Sequence, residues 1–293
     1  MIAVEGVEKA TIRSHYQLGT LFYRLLWGPH IHHGLWNGDE SPREAQSQLT
    51  ETLADMAHIE KQDSVVDVGC GMGGSAIHLA KTRGCQVTGV TLSPIQRRWA
   101  AATSRLKRVN SLTRFLADDA EQVVFEPSSF DVVWSVECTE HLFDKQAFFE
   151  RAASWLRPGG RMAICVWFEG EDTSKAGHRK LVEDVCHRFV CPSLATREDY
   201  ANWIEQTGLS VTSNVDWTER AAKTWEICKQ RVSRSGVRHL AKVLDKDQVA
   251  FLDGFDTLLE AYHCGAMQYG AIVAEKPPAS RTHSTQESSG SLT

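Results

Sequence analysis

The chain has 293 residues, of which 42% are hydrophobic and 24% charged, with a formal net charge of −5. That length exceeds a minimal nucleotide-binding core, and the mild acidity makes neither a polyanion nor an anionic membrane an obvious partner. The first residues mix Glu5, Glu8, Lys9 and Arg13 with no apolar core, so no signal peptide is expected, and no apolar run approaches the ~18 residues of a membrane span.

In chain order, Ile12, Tyr16, Gly19, Tyr23 and Leu26 recur at helical spacing. They predict an amphipathic helix ending near Gly28-Pro29, either packed on the core or capping a site. Strands are expected at 64–69, 86–92, 114–118, 130–137 and 161–168, with helices near 73–82, 94–108 and 145–156 between them. Such alternation predicts a parallel sheet with right-handed crossovers. Arg157-Pro158-Gly159-Gly160 reads as a tight turn into the fifth strand. Beyond 168 the pattern predicts helices near 174–190 and 196–207, a strand at 209–217, a long helical insertion at 218–262 and a last strand at 268–274. Thr196 with Asp199 marks a helix start. The expected organisation is an N-terminal helical cap (1–60), a ligand-binding core (61–168), a substrate lid with closing strands (169–276) and a disordered tail (277–293).

The chemistry gathers at the carboxyl ends of the first four core strands, where open α/β sheets bind ligands. Asp67-Val68-Gly69-Cys70-Gly71-Met72-Gly73-Gly74 lies between a strand and a helix, so its glycines permit close backbone approach to a ligand. A dinucleotide site would place an acid about 20 residues later to hold a ribose. Between Asp67 and Asp118 there is no acidic residue, only eight Lys or Arg. The second strand instead runs into Thr91-Leu92-Ser93-Pro94-Ile95-Gln96, the third into Ala117-Asp118-Asp119-Ala120, and the fourth into Glu137-Cys138-Thr139-Glu140-His141.

These segments, together with Trp27-Gly28-Pro29-His30-Ile31-His32-His33-Gly34, resemble the class I S-adenosylmethionine-dependent methyltransferases. Within that superfamily they resemble the γ-tocopherol C-methyltransferase-like group. The resemblance implies a Rossmann-like sheet of seven strands, mostly parallel with the last antiparallel, and S-adenosyl-L-methionine as cofactor. It implies Asp67, Gly69, Cys70, Gly71 and Gly73 around the methionine and ribose portions, with Asp67 orienting the loop or reaching the ammonium through water. Thr91, Leu92 and Gln96 would line the ribose side, Asp119 would accept from the adenine amino group, and Ala120 would offer its backbone N–H. Glu137 completes the cofactor set, and His33 and Trp36 would close over the methionine end. Cys138-Thr139 departs from the smaller residues of the group, which bears on substrate identity.

Methyl transfer is an in-line displacement that mainly requires nucleophile and methyl to be held ~3 Å apart in a dry site. Where the acceptor carries a hydroxyl, a base adds ~10²–10⁴-fold, and His141, Glu140 and His33 are the catalytic candidates. The alternative reading of His141 is structural, packing against the cofactor or capping the following helix, and it is the preferred one. Trp36, Trp134, Trp167 and Trp217 are expected as an aromatic pocket wall, with Trp134 read in preference as an ordinary core aromatic.

His30, His32 and His33 read as pocket lining, not metal ligands, since no carboxylate or cysteine stands near them in sequence. Eight cysteines without a Cys-x-x-Cys pair read as reduced cytosolic thiols, and Cys186-His187 with Cys191 lacks the second pair of a zinc site, so no metal is expected. The basic run Arg105-Leu106-Lys107-Arg108 reads as a solvated helix face, which argues against nucleic acid, while peripheral membrane contact and oligomeric state stay open. The expected function is C-methylation of an apolar aromatic or prenylated small molecule in the cytoplasm. N- or O-methylation of a small natural product, a cyclopropane-synthase-like activity on lipids, and a silent cofactor-binding scaffold are the alternatives.

Overall fold

The structure, a computed structural model, describes residues 1–26, 31–234 and 246–279. Gly28-Pro29, His30, the middle of the expected 218–262 insertion and residues 280–293 of the expected disordered tail lie outside the described residues.

A seven-stranded sheet carries the molecule. Its core strands are β2 (Ser64–Val68), β3 (Gln86–Thr91), β4 (Thr113–Ala117), β5 (Phe130–Val136) and β6 (Leu156–Glu169), and it closes with β8 (Ser210–Asp216) and β9 (Met267–Glu275), in the order β4-β3-β2-β5-β6-β9-β8. The strands from β4 to β6 are parallel. Only β9 runs against its neighbours, pairing Trp167 with Tyr269 on one side and Asp216 with Gly270 on the other. The mixed sheet with an antiparallel last strand is therefore as expected.

Burial explains the strand sequences. β2 and β5 are apolar on both faces because helices cover both faces of the parallel sheet. The edge strand β8 alternates half-buried with exposed residues. α3 (Gly74–Thr82), α4 (Pro94–Leu106) and α5 (Lys145–Trp155) cross between the parallel strands. Ser93 and Asp144 cap the last two by accepting from Gln96 N and Ala147 N.

The remaining helices surround the carboxyl ends of the strands and the far edge. α1 (Lys9–Leu26) and α2 (Pro42–Met56) precede the sheet, followed after β6 by α6 (His178–Arg188), α7 (Arg197–Gln206), α8 (Thr218–Arg234) and α9 (Lys246–His263). Thr196 and Asp199 form the expected capping box of α7. A small sheet of β1 (Ile2–Ala3) and β7 (Ser193–Leu194) pairs Ile2 with Leu194 and ties the N-terminus to the segment after α6.

In the expected helical stretch 218–262 the described helices are α8 and α9. Two expectations change. Arg157–Gly160 belongs to β6, because the ladder with β5 continues across it through a register shift between Phe130 and Val132, with Gly159 at φ +78. The helix α2 was not anticipated, although Ser41-Pro42-Arg43-Glu44 carries its signature. Ser41 Oγ accepts from Glu44 N while Glu44 returns a bond to the Ser41 backbone, with Pro42 at the first helical position. Ser41→Ala should lower unfolding free energy by about 1 kcal/mol in urea denaturation; an unchanged midpoint would mean that packing alone holds α2.

Candidate active site

The turn after β2 is shaped by glycines that do different work. Gly69 has φ +81, and a Cβ there would lie 2.3 Å from Cys138 Cβ, so the loop is pressed against the end of β5. Gly71 has φ +52 and the nearest atom to its would-be Cβ is Ile31 Cδ1 at 3.9 Å, which leaves its backbone open toward a cleft. Gly73, expected as a cofactor contact, is not among the cleft-lining residues; its would-be Cβ meets Ala100 Cβ at 2.9 Å and the Phe115 ring, so it sets the packing of α3 against α4 and β4.

The cleft encloses about 1020 Å3 at the carboxyl ends of β2 to β5. Of the residues expected around a cofactor, it brings together Asp67, Gly69, Cys70, Gly71, Thr91, Leu92, Gln96, Asp119, Ala120 and Glu137. Asp67 is 2% exposed and its Oδ2 has no partner among the described residues. Burial pushes its carboxyl up to about 7, opposed by a bond from the Ala76 backbone. Thr91 Oγ1 donates to Gln96 Oε1 at 3.0 Å, while Gln96 Nε2 is buried and unpartnered among the described residues. Asp119 is already engaged: Oδ1 accepts from Glu121 N at 2.9 Å and Oδ2 from Lys9 Nζ at 2.6 Å. Lys9 also reaches Glu121 at 2.7 Å, so the first turn of α1 is strapped to this end of the cleft. Nothing in the sequence distinguished Lys9 from other exposed lysines.

His33 and Trp36 do not reach the cleft. The His33 backbone N–H and Nδ1 both donate to Glu137 Oε1, at 2.7 and 2.9 Å, and Nε2 accepts from Trp225 Nε1 and from Tyr262 Oη at 3.2 Å. With both ring nitrogens committed, His33 is neither a base nor a contact over a ligand. Trp36 Nε1 donates to Thr224 Oγ1 at 3.0 Å and so anchors α8 instead. The neighbour His32 takes the lining position, its Nδ1 donating to the His33 carbonyl at 2.7 Å, with burial lowering its basicity. Burial alone would raise Glu137, but the attraction of the His33 ring and the bonds from His33 and Tyr269 hold its carboxyl at about 2.

A second cavity of about 440 Å3 adjoins the first and shares Tyr16, Ile31, Glu137 and His141 with it. Its other walls are Trp167, Phe189, Trp225 and Phe251 with Glu140 and Cys191. Of the four tryptophans expected in a pocket wall only Trp167 is there; Trp134 is wholly buried in β5 and Trp217 in the core. Trp225 was missed, yet it belongs to a stripe Ala221, Trp225, Cys228, Val232 that is apolar and buried along α8.

At the junction of the cavities, His141 Nδ1 faces the Val190 carbonyl at 3.2 Å, which can only accept, so that nitrogen carries the proton and Nε2 accepts from Tyr16 Oη at 2.7 Å. Burial lowers the imidazole to about 4, which keeps it neutral at ordinary pH. Glu140 is 1% exposed, and burial and the Glu137 charge raise its carboxyl well above the usual range. Its Oε2 has no hydrogen-bond partner among the described residues.

Residues 66–164 match the family described as methyltransferase domain. The chain is 30% identical to tocopherol O-methyltransferase, chloroplastic, of Arabidopsis thaliana over 94% of its own length and 84% of the relative's. It is 33% identical to 2-methyl-6-phytyl-1,4-hydroquinone methyltransferase of Synechocystis over 68% of its length and 65% of the relative's. Among solved structures, a cyclopropane synthase from Mycobacterium tuberculosis superposes with a TM-score of 0.82 at 18% identity, covering 93% of this chain and all of that one.

The cleft fits S-adenosyl-L-methionine in its donor set. An unpaired buried carboxylate oxygen suits a cation, an unpaired amide nitrogen suits a ribose oxygen, and the open backbone at Gly71 lies between them in sequence. Because the Asp67 carboxyl sits near 7 against an ordinary 3.8, the folded state retains a proton that the unfolded chain loses. Stability therefore falls as pH rises through that window, while affinity for a cationic ligand rises. Calorimetry should show cofactor binding tightening roughly tenfold from about pH 6 to about pH 7.5, with Asp67→Asn flat across the range. The same slope in the variant would remove Asp67 from the site.

Proposed function

The chain belongs to the class I S-adenosylmethionine-dependent methyltransferases of the tocopherol methyltransferase-like group, and from that we propose that it methylates an apolar aromatic or prenylated small molecule, at carbon in preference to oxygen or nitrogen. The observation that carries this reading is the pair of cavities meeting at Tyr16, Ile31, Glu137 and His141, one built on the glycine turn, the other walled by aromatic rings.

S-adenosyl-L-methionine supplies the methyl group as a sulfonium substituent. In this reading Asp67 and the Gly69–Gly71 backbone hold the methionine portion, Thr91, Leu92 and Gln96 the ribose side, and Asp119 with Ala120 the adenine end. Trp167, Phe189, Trp225 and Phe251 hold the acceptor and exclude water, so that proximity supplies most of the rate. Tyr16 donates to His141 Nε2, and both residues line the junction where an acceptor hydroxyl would sit. A proton passing from that hydroxyl to Tyr16 and on to His141 would raise electron density in an aromatic ring. With His141 at about 4 the relay polarises more than it deprotonates. Glu140 lines the same cavity, with its Oε2 unpartnered among the described residues and so placed to meet a polar group of the acceptor.

The eight free cysteines support a reducing compartment, and no described helix is long and apolar enough to cross a membrane.

Turnover to S-adenosylhomocysteine across prenylated quinols, phenols, indoles and unsaturated lipids, with the new methyl located by NMR, tests the reading. Ring-carbon methylation is expected. A methyl on nitrogen or oxygen, or a cyclopropane, would move the acceptor to another class. Tyr16→Phe and His141→Ala should each lower kcat about 10²-fold while leaving cofactor affinity intact, and parallel loss of both would mark the pair as structural. At saturating cofactor, kcat should show no inflection near the ordinary imidazole value of 6.5.

A further inference from the structure

The second crossover helix has a face that the cofactor site does not use. On α4, Ile95, Trp99 and Leu106 are 47%, 41% and 83% exposed, at spacings that place them on one side of the helix. Arg98, Arg105, Lys107 and Arg108 are exposed beside them, and none has an ion-pair partner among the described residues. Next to this stripe, a groove of about 870 Å3 runs between α3 and α4, lined by Arg43, Lys81, Lys107 and Trp99 and by no Asp or Glu. Met72 and Gly74 line both this groove and the cofactor cleft.

A solvated basic helix accounts for the arginines and lysines but not for three large apolar side chains on the same stripe. Nucleic acid would use the cations and leave Ile95 and Leu106 without a role. An interfacial helix needs both, apolar residues at the boundary of headgroups and acyl chains and cations at the level of the phosphates. Net charge conceals the feature: the chain is −5 overall, yet carries eight Lys or Arg and no acid between Asp67 and Asp118. We propose that the exposed face of α4, with the Arg43–Lys81–Lys107 groove, docks the protein on an anionic phospholipid surface. The docking itself is independent of the proposed acceptor; its use, drawing an apolar acceptor from the lipid, rests on that reading.

Co-sedimentation of the full chain with extruded vesicles tests this. Binding is expected to vesicles of phosphatidylcholine with phosphatidylglycerol, weakly or not at all to phosphatidylcholine alone, and to fall with added salt. Each of Arg98→Glu and Arg105→Glu should weaken binding by at least about fivefold, and Trp99→Ser with Leu106→Ser should abolish it. Calorimetric cofactor affinity should be the same in all these variants, which shows that they are folded and leaves the cofactor site out of the effect. No binding to anionic vesicles, variants that bind like the parent, or capture of a DNA duplex by this face in preference to vesicles would each overturn the proposal. Absence of acceptor turnover in a parent protein that binds the vesicles would count against the acceptor reading alone.

Discussion

One carboxylate oxygen organises the site. Glu137 Oε1 accepts from the His33 backbone, from His33 Nδ1 and from Tyr269 Oη, and so joins the segment before α2 to the end of β5 and to β9. Through His33 Nε2 the same knot reaches Trp225 on α8 and Tyr262 on α9. Glu137 has φ +51, a backbone conformation that costs a non-glycine residue about 1 kcal/mol or more. That strain turns the chain away from β5 toward the 3-10 segment Thr139–His141, and so sets Glu140 and His141 at the cavity junction. An alanine in place of Glu137 would leave the donors of His33 and Tyr269 buried and unpaired, so the elements around the cleft are held by a bond set that tolerates no partial loss.

The titratable groups around the junction are arranged to carry little charge. Burial keeps His141 neutral and, with the Glu137 charge, pushes the Glu140 carboxyl upward, while Glu137 spends its negative charge on the donors that surround it. Asp67 is then the cleft carboxylate with a proton to lose near neutrality and no partner for its outer oxygen among the described residues. A low-dielectric junction of this kind strengthens the polar contacts that would position a cationic donor against its acceptor.

The two ends of the cleft are closed by different physics. At the adenine end α1 is tied by Lys9 to Asp119 and Glu121, an ion pair that is partly exposed and so weakened by salt. At the aromatic end, Trp167, Phe189, Trp225 and Phe251 meet edge to face, a packing that salt does not touch.

Much of this was legible in the sequence. The parallel core strands and the cleft position followed from alternation and from glycines, because periodicity and φ preference are local properties of the chain, whereas the antiparallel last strand was implied only by the family resemblance. Asp67, Gly71, Thr91 and Gln96 were named from the glycine turn and from the family resemblance, and all four line the cleft. Gly69 and Gly73 look alike in sequence, and only the position of Cys138 against one and of Ala100 against the other separates their roles. His32 and His33 are adjacent and chemically identical, yet one lines the cleft and the other is locked behind it, because Glu137, Trp225 and Tyr262 converge on His33 from 104, 192 and 229 residues away. The protonation of Glu140 and His141 was equally out of reach, since it depends on burial. The sequence by itself determined the parallel core of the sheet and the glycine turn, which are written in local spacing, and its motifs implied the cofactor by family resemblance; the tertiary structure alone decided which polar groups are spent on one another and which are left to face a ligand, because that is settled by contacts between segments far apart in the chain.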